Sequence, residues 1–438
     1  METNLSPAPV PQHWVQRFFI IWSGQAFSLV GSALVQFALI WYLTRSTGSA
    51  TILATATLVA LLPQIFLAPF AGALVDRLSR RWVMVIADSG IALFTLVLMF
   101  LFATGRIQVW HIYVVMFMRS LGGAFHQPAM TASTSLMVPK KHLTRVAGLN
   151  QSLQGVISII SPPLGAVLIG LLATQWVLSI DVITAAMAVI PLFFIPVPQP
   201  PRQVAQASGI QKKTSYWQDL RAGFSYVVHW PGLLGLLILA TMINFLLSPT
   251  GSLMPLLVTK VFNKGAIELG GLESVLGIGV IIAGLVLSAW GGFKKRIITS
   301  ILGIIGLGIG VVGMGFAPSN AFYLVLVASF VLGFFNVMAN GPLSAIFQST
   351  IDPDMQGRVF GLIGAFATAM SPLSLLVAGP VADWLGVRSW YIFGGITCIL
   401  MAMVALMIKP IMNIENNRRT PSLGIENIGT VIETEKRG

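Results

Sequence analysis

Charge is what this chain has least of. Asp, Glu, Lys and Arg make up 9% of its 438 residues, where an ordinary soluble domain carries about 25%. A water-soluble globular enzyme is excluded on that ground alone. Acids are the scarcer sign, 14 against 26 bases, which leaves a net charge of +12. That excess does not describe a nucleic-acid face. The bases sit in short turns between apolar runs, with no basic patch interleaved with aromatics. Cysteine is almost absent: Cys398 stands alone inside an apolar run, so neither a disulfide framework nor a cysteine-based metal site can form. There is no Gly-x-x-x-x-Gly-Lys-[Ser/Thr] loop, hence no sign of an ATP-driven motor. No metal-ligand cluster or nucleophile–base pair stands out. No catalytic activity, cofactor or metal is therefore expected. The first 16 residues are polar and contain proline, without the apolar core and small-residue cleavage site of a secretory signal, so none is expected to be removed.

What fills the chain instead is hydrophobic: 55% of residues, with a mean hydropathy of +0.84. Apolar segments follow one another, each long enough to cross a hydrocarbon core of about 30 Å as a helix of roughly 20 residues. The pattern predicts spans at 17–43, 50–75, 82–104, 108–131, 142–172, 174–196, 230–258, 267–290, 297–317, 320–348, 357–384 and 387–409. Twelve spans place both termini on one side. Assigning that side to the cytoplasm puts twenty bases inside and five outside, with Arg119 within a span, as the positive-inside bias demands.

The longest polar interruption cuts the series six and six. The expected organisation is a cytoplasmic N-terminus at 1–16, a six-helix lobe at 17–196, a cytoplasmic linker at 197–229, a second six-helix lobe at 230–409 and a cytoplasmic tail at 410–438. The halves echo one another. Arg145-Val146-Ala147-Gly148-Leu149 opens the fifth span and Arg358-Val359-Phe360-Gly361-Leu362 the eleventh, each followed by Ser-Pro, at Ser161-Pro162 and Ser371-Pro372. Leu121-Gly122 and Pro128 in the fourth span match Leu332-Gly333 and Pro342 in the tenth. Duplication of a six-helix unit points to a two-lobed secondary transporter.

At these residues the chain resembles the major facilitator superfamily, and within it the drug–proton antiporters. The turn Gly72…Asp76-Arg77…Arg80-Arg81 is similar to the signature between the second and third helices, and Arg119-Ser120-Leu121-Gly122-Gly123-Ala124 to the arginine motif of the fourth. Gly148 and Ser161-Pro162-Pro163-Leu164-Gly165-Ala166 resemble the antiporter motif of the fifth. A narrower resemblance, to bacterial macrolide efflux proteins, rests on Trp22-Ser23-Gly24-Gln25-Ala26-Phe27-Ser28-Leu29, Arg119-Ser120…Ala124-Phe125-His126-Gln127-Pro128-Ala129, Ala147-Gly148-Leu149-Asn150-Gln151-Ser152-Leu153-Gln154 and Gly357-Arg358-Val359-Phe360. The resemblance implies an all-α membrane protein of twelve helices in two six-helix lobes, the major facilitator fold. It implies a monomer in a bacterial cell membrane that exports a small amphiphilic molecule, macrolides first, in exchange for protons. Another cargo, such as a siderophore or a lysolipid, is the alternative; a non-transporting sensor or a membrane enzyme is a third reading.

Ionisable groups at membrane depth cost about 2.5 to 3.5 kcal/mol each on insertion scales, which makes each a functional candidate. Asp88, Arg119, Asp181 and Glu273 qualify. Asp181 and Glu273 are each either a proton carrier, since burial helps a carboxyl group hold its proton, or one half of a fixed ion pair. Asp88, close to the Arg80–Arg81 cluster, reads as a structural acid, and His126, just before Pro128, as an interfacial residue. The resemblance assigns Arg119 to proton coupling. Gln25, Gln36, Asn150, Gln154, Asn244, Asn336 and Asn340 are uncharged polar groups inside spans and candidate cavity residues. Pro162 and Pro372 each remove a backbone donor and are expected to bend or loosen their helices. From the resemblance, Gly72, Asp76, Arg77, Arg81 and Arg358 would form a conformational latch in which Asp76 meets the start of the eleventh span.

Overall fold

A computed structural model describes residues 14–75, 78–198 and 216–416. Asp76, Arg77, most of the expected linker and most of the expected tail lie outside them. Twelve long helices dominate: α1 (Trp14–Thr47), α2 (Ala50–Val75), α3 (Arg80–Ala103), α4 (Val109–Met137), α5 (Leu143–Leu171), α6 (Thr174–Phe194), then, after a shorter α7 (Tyr216–Val228), α8 (Pro231–Leu256), α9 (Ala266–Trp290), α10 (Arg296–Phe316), α11 (Phe322–Thr350), α12 (Pro353–Leu385) and α13 (Val387–Met407). A last turn, α14, covers Lys409–Met412. Eleven of the twelve are apolar enough to cross a membrane by length and composition. The other is α4, whose 29 residues include Arg119, His126, Gln127 and a run of hydroxyls from Thr131 to Ser135.

Several helices overrun the expected spans. α4 continues six residues past 131, through Pro128, and α12 starts four residues before 357. The expected polar linker contains α7, whose sequence Tyr-Trp-Gln-Asp-Leu-Arg-Ala-Gly-Phe-Ser-Tyr-Val-Val is amphipathic rather than uniformly polar. α8 ends in a π-helical turn, Leu257–Val261, which begins two residues after Pro255.

The two sets of six pack in the same pattern. In the first lobe α1 lies against α6 and α5, α2 against α4, and α3 against α4 and α6; in the second, α8 lies against α13 and α12, α9 against α11, and α10 against α11 and α13. The most extensive contacts between lobes are images of each other too: α5 meets α9, and α2 meets α12, with smaller contacts of α1 and α2 on α8. The helices carrying the duplicated Arg-Val-x-Gly-Leu and Ser-Pro sequences, α5 and α12, are thus among the ones that reach across.

The crossing contacts have a chemical basis. Pro163 has no N–H, so the Ile159 carbonyl one turn earlier loses its helical partner. Ser274 of α9 donates its hydroxyl to that carbonyl at 2.7 Å. Gly270, one turn before Ser274, permits the approach: a Cβ there would lie 2.8 Å from the Pro162 carbonyl oxygen. At the base-poor end, Asp383 of α12 caps α2 from the other lobe. Its carboxylate accepts from Ser49 Oγ at 2.8 Å and from the backbone N–H groups of Ala50 and Thr51 at 2.7 and 2.9 Å. These donors belong to the start of α2, where helical N–H groups lack partners and a negative charge is stabilised. Gly379, one turn earlier on α12, lies so close that a Cβ would come within 2.8 Å of Thr51 Cα.

Replacing a capping acid by alanine costs about 1 kcal/mol. Asp383→Ala should therefore shift the lobes roughly fivefold towards separation at the base-poor end. Spin labels at Arg106 and Asn320 should report longer distances; an unchanged distribution would show that the cap does not hold the lobes.

Candidate functional site

Four helices of the first lobe converge on one carboxylate. Asp181 of α6 is fully buried. Its Oδ1 accepts from Ser32 Oγ of α1 at 3.0 Å and from Arg119 Nη2 of α4 at 3.4 Å. Its Oδ2 is paired with Arg119 Nη1 and lies 2.9 Å from Thr95 Oγ1 of α3. Arg119 Nη1 also donates to Thr95 Oγ1 at 2.6 Å. Both charges are therefore neutralised, and both carboxylate oxygens are bonded. Such a buried pair is costly to break, because removing one partner strands the other. Of the two readings open for Asp181, the geometry is that of a fixed ion pair. Ser32 and Thr95 were not singled out in the sequence, since a lone hydroxyl in an apolar run carries no distinctive signal.

Asp88 of α3, also buried, is held differently. Gln25 of α1 donates to its Oδ2 at 2.9 Å, and His126 Nε2 of α4 lies 3.5 Å from Oδ1, beyond normal hydrogen-bond reach. That nitrogen has no other partner among the described residues. α4 continues to Met137, so His126 lies inside the helix rather than at its end, and it faces a buried acid.

Glu273 of α9 has neither arrangement. Among the described residues no hydrogen bond or ion pair reaches its carboxylate. It lines a cavity of about 430 Å³ between the lobes, shared with Gln36 and Phe37 of α1 and with Ile157, Ser161 and Pro162 of α5. The Ser161 hydroxyl is likewise buried without a partner. An apolar chamber with a few unsatisfied polar groups is the usual composition of a small-molecule site.

The seven candidate amides all line cavities. Gln25, Asn150 and Gln154 border one of about 470 Å³ in the first lobe, Gln36 the chamber of Glu273, and Asn244, Asn336 and Asn340 one of about 130 Å³ in the second lobe, between α8, α10 and α11. Among the described residues no group of three or more His, Cys, Asp or Glu gathers as a metal site would.

The family model of the Major Facilitator Superfamily matches residues 21–374 and 251–426. The chain belongs to the major facilitator superfamily. It is 34% identical over 403 residues to macrolide efflux protein A of Streptococcus pyogenes, covering 92% of this chain and 98% of that protein. To the macrolide efflux protein A of Enterococcus faecalis it is 32% identical over 328 residues, 75% of this chain and 100% of the relative. Its branch is therefore that of the macrolide efflux proteins. The crystal structure of a POT family transporter in complex with 5-aminolevulinic acid superposes with a TM-score of 0.69 at 11% identity, over 91% of this chain and 96% of that one, which speaks for the fold alone.

In this superfamily member the expected latch is only partly described. Gly72 lies near the end of α2 with open space around it, and Asp76 and Arg77 fall outside the described residues. Arg81 stays within its own lobe, donating to the Phe193 carbonyl at the end of α6 at 2.6 Å, where a cation suits a helix C-terminus. Arg358 lies in the first turns of α12, its backbone against Gly223 of α7. Pro162 and Pro372 sit inside α5 and α12, which continue through them. Asp383, which ties the lobes together, was missed: next to Trp384 at the end of an apolar run it looks like an ordinary interfacial acid.

The ion pair makes a specific demand. Arg119→Ala alone should destabilise the folded protein by about 3–5 kcal/mol, because Asp181 is left buried and uncompensated. Adding Asp181→Asn should restore most of the lost melting temperature in detergent. Equal melting of the single and double variants would mean that the two charges do not depend on each other.

Proposed function

We propose that this chain exports macrolides and similarly bulky, largely apolar amphiphiles across a bacterial cell membrane by alternating access, driven by proton antiport. Glu273 carries the reading. Its carboxylate stands bare in a chamber bounded by helices of both lobes, so the same acid can be neutralised by a proton in one state and by a cationic cargo in another. Rocking the lobes about such a chamber exposes it to each side in turn. The cargo is supported by kinship with proteins named for macrolide efflux. Arg119 and Asp181 serve as the fixed point that keeps α1, α3, α4 and α6 together while the lobes move. Both termini face the cytoplasm, as does the 197–229 connection between lobes, and the exporter works as a monomer with protons, its cargo and the surrounding lipid as its partners.

Two experiments test this reading. In inverted vesicles, Glu273→Gln should abolish accumulation of a macrolide driven by a pH gradient, while exchange of labelled for unlabelled macrolide continues because the chamber keeps its shape. Full uphill accumulation by the variant would remove Glu273 as the coupling group. For orientation, Cys398 is the sole cysteine and is buried, so a background with Cys398→Ala is easily built. In intact cells a membrane-impermeant maleimide should label Arg106→Cys and spare Ser79→Cys; the reverse pattern would invert the topology.

A further inference from the structure

The largest of these cavities, in the first lobe between α1, α4 and α5, has a chemistry unlike that of the Glu273 chamber. Among the described residues lining it there is no Asp, Glu, Lys or Arg. Besides the imidazole of His126, its polar groups are uncharged: the side-chain amides of Gln25, Gln127, Asn150, Gln151 and Gln154, and the hydroxyls of Thr131, Thr134 and Ser135. All three hydroxyls already donate to carbonyls of their own helix, Thr131 to Gln127 at 3.0 Å, Thr134 to Met130 at 2.9 Å and Ser135 to Ala132 at 2.8 Å. They present acceptor lone pairs to the cavity, while the amides present donors and acceptors together. One wall is Trp22. Its indole N–H donates to Asn150 Oδ1 at 2.7 Å, and Phe19 meets it edge-on with ring centroids 6.0 Å apart. The ring is thus fixed across α1 and α5 before any ligand arrives, which reduces the ordering cost of binding.

A pinned aromatic face beside a dense set of neutral donors and acceptors suits a molecule that is apolar on one face and ringed by hydroxyls. We propose that this cavity is a carbohydrate subsite, which takes a neutral glycosyl group of the cargo. The inference rests on the macrolide reading above and extends it. The subsite and the Glu273 chamber adjoin: Gln154 lines the first and Ser158 the second, about 6 Å apart along α5 at 1.5 Å per residue. Together they approach the upper end of the roughly 300–1,000 Å³ range of ligand pockets. One glycosylated macrolactone can occupy both, its neutral sugar against Trp22 and the remainder in the apolar chamber.

Two probes separate the parts: a 14-membered macrolide bearing a neutral sugar and an amino sugar, and the same compound with only the neutral sugar hydrolysed off. With the purified full chain, Trp22→Ala should weaken binding of the intact compound roughly tenfold, about 1.4 kcal/mol, and leave the hydrolysed compound unchanged. Unchanged binding of the hydrolysed form also certifies that the variant is folded. Thr131→Val, which keeps the shape and removes an acceptor, should act in the same direction. Equal losses for both compounds, or no loss for either, would overturn the subsite. Should the unmodified protein bind neither macrolide, the export reading fails separately. The cavity is then tested alone with a short-chain alkyl glucoside: its binding, lost in Trp22→Ala, would uphold the sugar site, and its failure to bind would end the proposal.

Discussion

Inside a hydrocarbon core no water is present to satisfy a polar atom, so each backbone and side-chain group must find its partner within the protein. The tertiary structure of this chain follows from that constraint at several places where a helix's own ladder is broken or ends. Pro163 frees the Ile159 carbonyl, and Ser274 of the other lobe takes it up. Pro249 frees the Phe245 carbonyl by the same geometry, and Ser374 of α12 donates to it. At the start of α13, Arg388 serves the Ala317 carbonyl that closes α10, at 2.7 Å. The breaks that weaken single helices become the attachment points between helices.

The same constraint sorts the buried acids. Asp181 is fully matched by an arginine and two hydroxyls, and so belongs to the framework. Asp88 is half matched, with one amide bond and an imidazole just out of reach. Glu273, part-buried, has no partner among the described residues and stands where the lobes meet. In the export reading proposed above, Glu273 is the acid of the three whose charge a proton or the cargo would balance. Arg119, which the resemblance assigns to coupling, meets Asp181 of α6, Thr95 of α3 and the Ser32 carbonyl of α1.

Much of the fold was legible in the sequence because its signals are long-range averages. Twenty-residue apolar runs, the six-and-six division and the paired Ser-Pro and Arg-Val-x-Gly-Leu echoes survive errors at single positions. Helix ends were less legible: Pro128 looked like a terminus, but packing within the lobe carries α4 through it. The site was legible in part. Each of the seven amides named as cavity candidates lines a cavity, whereas Gln64, also inside an apolar span, is exposed and lines none of these. Partnerships were not legible. Whether Asp181 or Glu273 is the free acid depends on which helix faces which, and spacing along one chain does not encode that. Ser32, Thr95, Trp22 and Asp383 gained their roles from neighbours 24 to 334 positions away, where no local pattern points.

The two lobe-crossing bonds stand at different heights, and that makes them unequal levers. Ile159 and Ser274 meet well inside the helices, whereas Asp383 is two residues from the end of α12. When one rigid lobe turns against the other about the middle of the molecule, displacement grows with distance from the axis. A small turn leaves the inner bond within reach and pulls the rim carboxylate off the start of α2. In the lobe rocking proposed above, the inner serine would act as a pivot and the outer aspartate as a clasp, so the first few degrees of opening would be spent against the clasp alone.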